Sequence, residues 1–75
     1  MPPLRLMILG TGSMAHSHAD AYAAMEGVEM VAACDAIPET LSLFAEKYGI
    51  ERRFLSLDEA IAWGGFDAVS NVTPD

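Results

Sequence analysis

Gly10-Thr11-Gly12-Ser13-Met14-Ala15 directly follows the apolar run Leu4 to Leu9 and is answered by Asp35 at the end of a second apolar run, Val28 to Cys34. That order confines the chain to a small set of folds. A strand buried on both faces reads as a nearly unbroken apolar run, and a glycine at its end marks a tight turn into a helix. In a Gly-x-Gly-x-x-Ala turn the first glycine permits the reversal and the second lets a pyrophosphate approach the backbone. The small third residue lets the helix lie close to its strand. Asp35, twenty positions beyond Ala15, stands where a carboxylate accepts hydrogen bonds from a ribose diol. Such a glycine pattern also arises in loops that bind nothing, so the weight lies in the agreement of strand, glycines, helix and acid.

The remainder of the chain continues the alternation of strands and helices. From Ser13 to about Glu26, Ala15, Ala19, Tyr22 and Ala23 fall at helical spacing, and Gly27 provides a stop. Pro38 opens a second helix, where its missing N–H costs nothing, and Leu41, Phe44, Ala45 and Tyr48 form one apolar stripe closed by Gly49. Arg53-Phe54-Leu55 reads as a short third strand. Ser56 and Glu59 then stand at capping-box spacing before a brief helix through Ile61 and Trp63 to Gly64-Gly65. Asp67 to Thr73 reads as a fourth strand halted by Pro74. Strands joined through helices imply right-handed parallel crossovers, so the predicted fold is α/β, a partial doubly wound parallel sheet in the order 3-2-1-4. The fourth strand is then an edge with unpaired backbone groups, and apolar surface near Val69 and Val72 is expected to be exposed beside it. If the chain folds at this length, both features favour self-association through that strand or a marginally stable monomer; in a longer chain further strands cover the edge.

Composition sets the outer limits. Seventy-five residues supply at most one domain, and a domain of that size buries only about 60 to 65% of its unfolded surface. Apolar residues make up 52% and charged residues 20% of the chain, the range of chains with a packed core. A net charge of −7, with Arg5, Lys47, Arg52 and Arg53 forming no basic stripe, argues against nucleic acid or an anionic membrane as partner. Cys34 is the only cysteine, which excludes an internal disulfide and points to a core thiol in a reducing cytoplasm. The N-terminal apolar run is too short to span a membrane and carries no export signal. His16 and His18, two residues apart on a helix, point in different directions and have no third ligand nearby, so no metal site is expected.

The string Leu-Gly-Thr-Gly-Ser-Met-Ala-His-Ser-His, the Cys34-Asp35 strand end, the Tyr48-Gly49 helix end and the Asp67-Ala-Val…Thr73-Pro74 stretch together resemble the Gfo/Idh/MocA oxidoreductases. The resemblance covers nearly the whole chain. It implies that residues 1–75 are the N-terminal part of a Rossmann-type dinucleotide-binding domain, with a substrate domain absent. It also implies a parent enzyme that is an NAD(P)-dependent dehydrogenase of sugars, cyclitols or related polyols. His18 stands where the family often carries a histidine near its helix start, with packing or hydrogen bonding as its expected role. The family's Glu-Lys-Pro motif, whose lysine assists proton transfer, is expected beyond Asp75. Glu46-Lys47 is followed by Tyr48, and Lys47 is the only lysine, so no residue here inherits the catalytic role and the chain alone is expected to be inactive.

The expected cofactor contacts are Gly10, Thr11, Gly12, Ser13, Met14, Ala15 and Asp35, with Thr73 and Pro74 as a loop beside the nicotinamide end. Ligands of open sheets bind outside the strand carboxyl ends, at the switch between strands one and four. For Thr73-Pro74 a plain strand terminator stands equally open. Asp35 is followed by Ala36 and Ile37, with no cation for a 2′-phosphate, which favours NAD over NADP. Two other functions compete. One is a free-standing nucleotide-binding or regulatory module. The other is a methyltransferase, whose usual Gly-x-Gly-x-Gly loop would need glycine where Met14 stands.

Overall fold

The computed structural model describes residues 2–73. Its elements alternate as β1 (Leu4–Leu9), α1 (Ser13–Ala24), β2 (Val28–Cys34), α2 (Pro38–Tyr48), β3 (Arg52–Phe54), α3 (Leu57–Trp63) and β4 (Ala68–Asn71). All strand pairs are parallel, and the sheet order is β3-β2-β1-β4, the order expected from the alternation. Leu6 pairs with Met30 but Met7 with Ala32, so Val31 is an extra residue in β2. This bulge places Val31 and Ala32 consecutively on one face, where both join the cluster of Met7 and Cys34.

Two apolar layers enclose the sheet. On one side Leu6, Ile8 and Ala33 meet Ala15 and Ala19 of α1 and Leu41, Phe44 and Ala45 of α2. Ala15 and Ala19 are buried, because a helix with small residues on its inner face can approach the sheet closely. On the other side Met7, Ala32 and Cys34 meet Ala60 of α3, flanked by Phe54, Trp63 and Phe66. Cys34 is a buried free thiol.

Boundaries differ from expectation in three elements. The first helix ends at Ala24 rather than near Glu26, because Met25 turns to extended backbone (φ −84°, ψ 130°) while its N–H still caps the Tyr22 carbonyl; Ala23 is exposed rather than part of the inner face. The third strand lies one residue earlier, at Arg52–Phe54, with Leu55 outside the ladder. The fourth strand is shorter than Asp67 to Thr73. Side chains cap it at both ends: Asp67 Oδ2 takes the Arg5 N–H at 2.9 Å, and Asn71 Oδ1 takes the Thr73 N–H at 3.1 Å. Val69 and Val72 also do not share one exposed patch. Val72 packs with the α1 and α2 layer, whereas Val69 faces the α3 side and is 43% exposed. Pro74, expected to close the strand, lies outside the described residues. No helix among the described residues is long and apolar enough to cross a membrane.

Candidate functional site

The carboxyl ends of β1, β2 and β4 converge on one cleft of about 900 Å³. Gly10 forms its base. Its N–H donates to the Cys34 carbonyl at 2.8 Å, and its φ of +93° lies in the region that side chains rarely adopt. A Cβ there would come within 2.9 Å of the Thr73 backbone nitrogen and 3.0 Å of the Val72 carbonyl carbon. The first glycine is therefore demanded by the fold itself.

Gly12 differs. It is the N-cap of α1 with extended backbone, φ −73° and ψ −170°, and no side chain caps the helix. A Cβ on Gly12 would meet nothing within 4 Å, so the protein does not fill the space that the missing side chain leaves. Ala15 N–H turns back to the Gly12 carbonyl at 3.0 Å. Among the described residues no acceptor meets the N–H groups of Ser13 and Met14. The start of a helix carries four N–H groups without helical partners and the positive end of the helix dipole. An open start of this kind suits an anion. Ser13 and Met14 are exposed, while Ala15 is 1% exposed and sets the closeness of α1 to the sheet.

Thr11 and Asp35 form the lower wall. Thr11 is completely buried, and both its N–H and its hydroxyl donate to Asp35 Oδ2 at 2.8 Å. Asp35 Oδ1 accepts the Ile37 N–H at 2.9 Å, and the Asp35 N–H donates to the Phe54 carbonyl at 3.1 Å. Partial burial pushes the Asp35 carboxyl up. The N–H groups of Ile37, Thr11 and Ala36 and the Thr11 hydroxyl outweigh that and hold it below its ordinary value. Its neighbour Cys34 moves the other way, because burial and then the charges of Asp35 and Glu59 push the thiol up.

Beyond Asp35 the cleft wall is apolar, with Ala36, Ile37, Leu55 and Leu57; across from it stand His18, Asn71 and Thr73. The structure thus brings all the described candidate residues, Gly10 to Ala15, Asp35 and Thr73, to one cleft. Thr11 sits there as a buried donor to Asp35 rather than with its hydroxyl free for a ligand. Residue reasoning overlooked Ile37, Leu55, Leu57 and Asn71, although each follows or ends a strand or turn at the carboxyl edge, where open sheets bind ligands. His16 is elsewhere, its ring 5.2 Å from that of Phe44 and 5.8 Å from that of Tyr48. Lys47 lies on α2 with Nζ 5.3 Å from the Tyr48 ring centre, outside the cleft.

Comparison with known proteins agrees with this geometry. Residues 4–75 match the Gfo/Idh/MocA family, described as an oxidoreductase family with an NAD-binding Rossmann fold. D-apiose dehydrogenase from Rhizobium rhizogenes is 34% identical over 73 residues, which are 97% of this chain and 21% of that enzyme. Among solved structures, an oxidoreductase from Agrobacterium radiobacter in complex with NAD+, L-tartaric acid and magnesium superposes with a TM-score of 0.92 at 34% identity, over 95% of this chain and 21% of its own. Scyllo-inositol dehydrogenase from Lactobacillus casei, with bound NAD(H) and scyllo-inositol, gives 0.86 at 26% identity, over 96% of this chain and 22% of its own. The chain spans about one fifth of the length of these relatives. With this sheet order, this glycine turn and a family match over nearly its whole length, the chain belongs to the Gfo/Idh/MocA oxidoreductases, a family with an NAD-binding Rossmann fold.

Proposed function

We propose that this chain binds NAD(H) in the cleft as the N-terminal part, residues 1–75, of the nucleotide domain of a dehydrogenase acting on a sugar or polyol. The open space over Gly12 beside the uncapped start of α1 carries this reading. It offers room and free N–H donors for a pyrophosphate, at the end of the strand where such sheets hold ligands. Asp35 then receives the adenosine ribose, and Ile37, Leu55 and Leu57 supply an apolar wall beyond it. Thr73, with Pro74 after it, lies toward the nicotinamide end.

The bound nicotinamide would supply the hydride chemistry. The residues of this chain bind and orient it, and proton transfer is assigned to none of them, since Lys47 lies on α2 away from the cleft. The sugar or polyol class rests on the relatives, which include an apiose and an inositol dehydrogenase. NAD is preferred to NADP because the lowered Asp35 carboxyl is ionised near neutral pH and repels a 2′-phosphate. A reducing, cytoplasmic setting fits the free thiol of Cys34. The outer edge of β4 and the exposed Val69 support strand pairing there, by further chain in a longer protein or by a second copy of this one.

Calorimetric titration with NADH and NADPH tests the cofactor reading. We expect NADH to bind more tightly, and Asp35→Ala to weaken NADH roughly tenfold, the worth of one charge-assisted hydrogen bond. Tighter NADPH binding, with Asp35→Ala leaving NADH unaffected, would remove the ribose assignment.

A further inference from the structure

A fully buried threonine beside the cleft needs a reason. Thr11 has no exposed surface, and both of its donors converge on a single oxygen, Asp35 Oδ2, at 2.8 Å each. A carboxylate oxygen offers about two acceptor positions, so Thr11 alone occupies that oxygen. The other oxygen, Oδ1, takes the Ile37 N–H at 2.9 Å on the exposed side; the Ala36 N–H also favours the charged carboxylate but is not among its close, aligned hydrogen bonds. One acceptor position on Oδ1 therefore stays open, on a residue that lines the cleft. The backbone N–H of Thr11 by itself would leave the carboxylate free to turn. The hydroxyl supplies a second donor to the same oxygen, and two donors on Oδ2 opposed by Ile37 on Oδ1 fix the plane of the group.

We infer that Thr11 is a positioning residue for nucleotide selection: its paired donors hold Asp35 so that Oδ1 alone meets the ribose, which favours a ribose with free hydroxyls over one carrying a 2′-phosphate. This rests on the NAD reading above. A carboxylate released from Thr11 can rotate away from a 2′-phosphate, so the two cofactors respond differently to its loss. Thr11→Val keeps the size and the N–H and removes the hydroxyl.

Titrations of the protein with NADH and with NADPH are read beside the pH titration of the Asp35 carboxyl carbon by NMR. In Thr11→Val we expect NADH affinity to fall roughly tenfold, NADPH affinity to fall less, and the Asp35 titration to move to higher pH; Thr11→Ser restores all three. A folded Thr11→Val protein with an unchanged NADH to NADPH ratio and an unchanged Asp35 titration would overturn the inference, and Asp35→Ala still weakening NADH would leave the NAD reading standing. Failure of the unaltered protein to bind either nucleotide overturns both. Should Thr11→Val not fold, the unaltered protein decides: the Thr11 amide signal is expected to follow the Asp35 titration and to keep doing so with NADH saturating. Loss of that dependence on NADH binding would show that Thr11 lets go of Asp35 and does not position it.

Discussion

The two ends of the sheet treat their polar groups in opposite ways. At the amino end Arg5 and Asp67 answer each other fully. The Arg5 N–H and Nε donate to Asp67 Oδ2 at 2.9 and 3.3 Å, Nη2 donates to Oδ1 at 3.0 Å, and the Asp67 N–H returns to the Arg5 carbonyl at 2.7 Å. At the carboxyl end Gly10 and Thr11 are just as closed, but Asp35 Oδ1 keeps an acceptor position and, one step further along, the Gly12, Ser13 and Met14 N–H groups meet no acceptor among the described residues. Polar satisfaction is the normal state of a folded chain. The exposed N–H groups at the start of α1 have no such protein partner, and the proposed pyrophosphate contact rests on that difference from the Arg5 and Asp67 joint.

The contrast is sharpest between Gly10 and Gly12, and the largest effects are expected there. Gly10→Ala must hold a side chain at φ +93° and push its Cβ to 2.9 Å from the Thr73 nitrogen. Thermal or urea unfolding should show a loss of about 3 kcal/mol. Gly12→Val puts its side chain into the free space above the turn, so unfolding should move by only about 0.5 kcal/mol while NADH affinity drops roughly thirtyfold by calorimetry. Equal losses of stability in both variants would erase the distinction between a glycine the fold needs and one the ligand needs.

A smaller effect is expected at Asp35. Hydrogen bonds hold the folded Asp35 carboxyl below its ordinary value of 3.8. Its stabilisation is therefore fully present above that value and is lost as pH falls through the lowered folded one. Unfolding followed from neutral to acid pH should show a shallower acid decline in Asp35→Asn than in the unaltered protein. An identical decline would mean that the bonds from Thr11 and Ile37 contribute nothing.

The smallest effect is expected at the amino end. The Arg5 and Asp67 side chains are 50% and 40% exposed, and water and salt screen such a pair. Arg5→Ala should lower stability only slightly, the loss shrinking further in high salt, with NADH affinity unchanged. A marked loss of NADH binding would show that the two ends are coupled through β1.

Much of this division was legible in the residues. The nearly continuous apolar run Leu4 to Leu9, the Ser56 and Glu59 capping pair, whose N–H to Oγ distance is 3.3 Å, and the left-handed Gly49 after α2 follow local rules that need no knowledge of distant contacts. What stayed hidden depends on partners far apart in the chain. Thr11 meets Asp35 across 24 residues and Arg5 meets Asp67 across 62, so neither the burial of Thr11 nor the true start of β4 follows from its own neighbours. The opposite faces of Val69 and Val72, by contrast, follow from their odd spacing along an extended chain, and Val69 pairs with Met7 while Val72 joins the α1 and α2 layer.

Backbone amide NMR of the protein during an NADH titration tests the central claim most directly, because it reads the open donors themselves. We expect the Gly12, Ser13 and Met14 amides to shift saturably as an oxyanion arrives, with the Arg5 and Asp67 amides unmoved. Saturable NADH binding that leaves Ser13 and Met14 unperturbed would contradict the assignment of the α1 start as the pyrophosphate site.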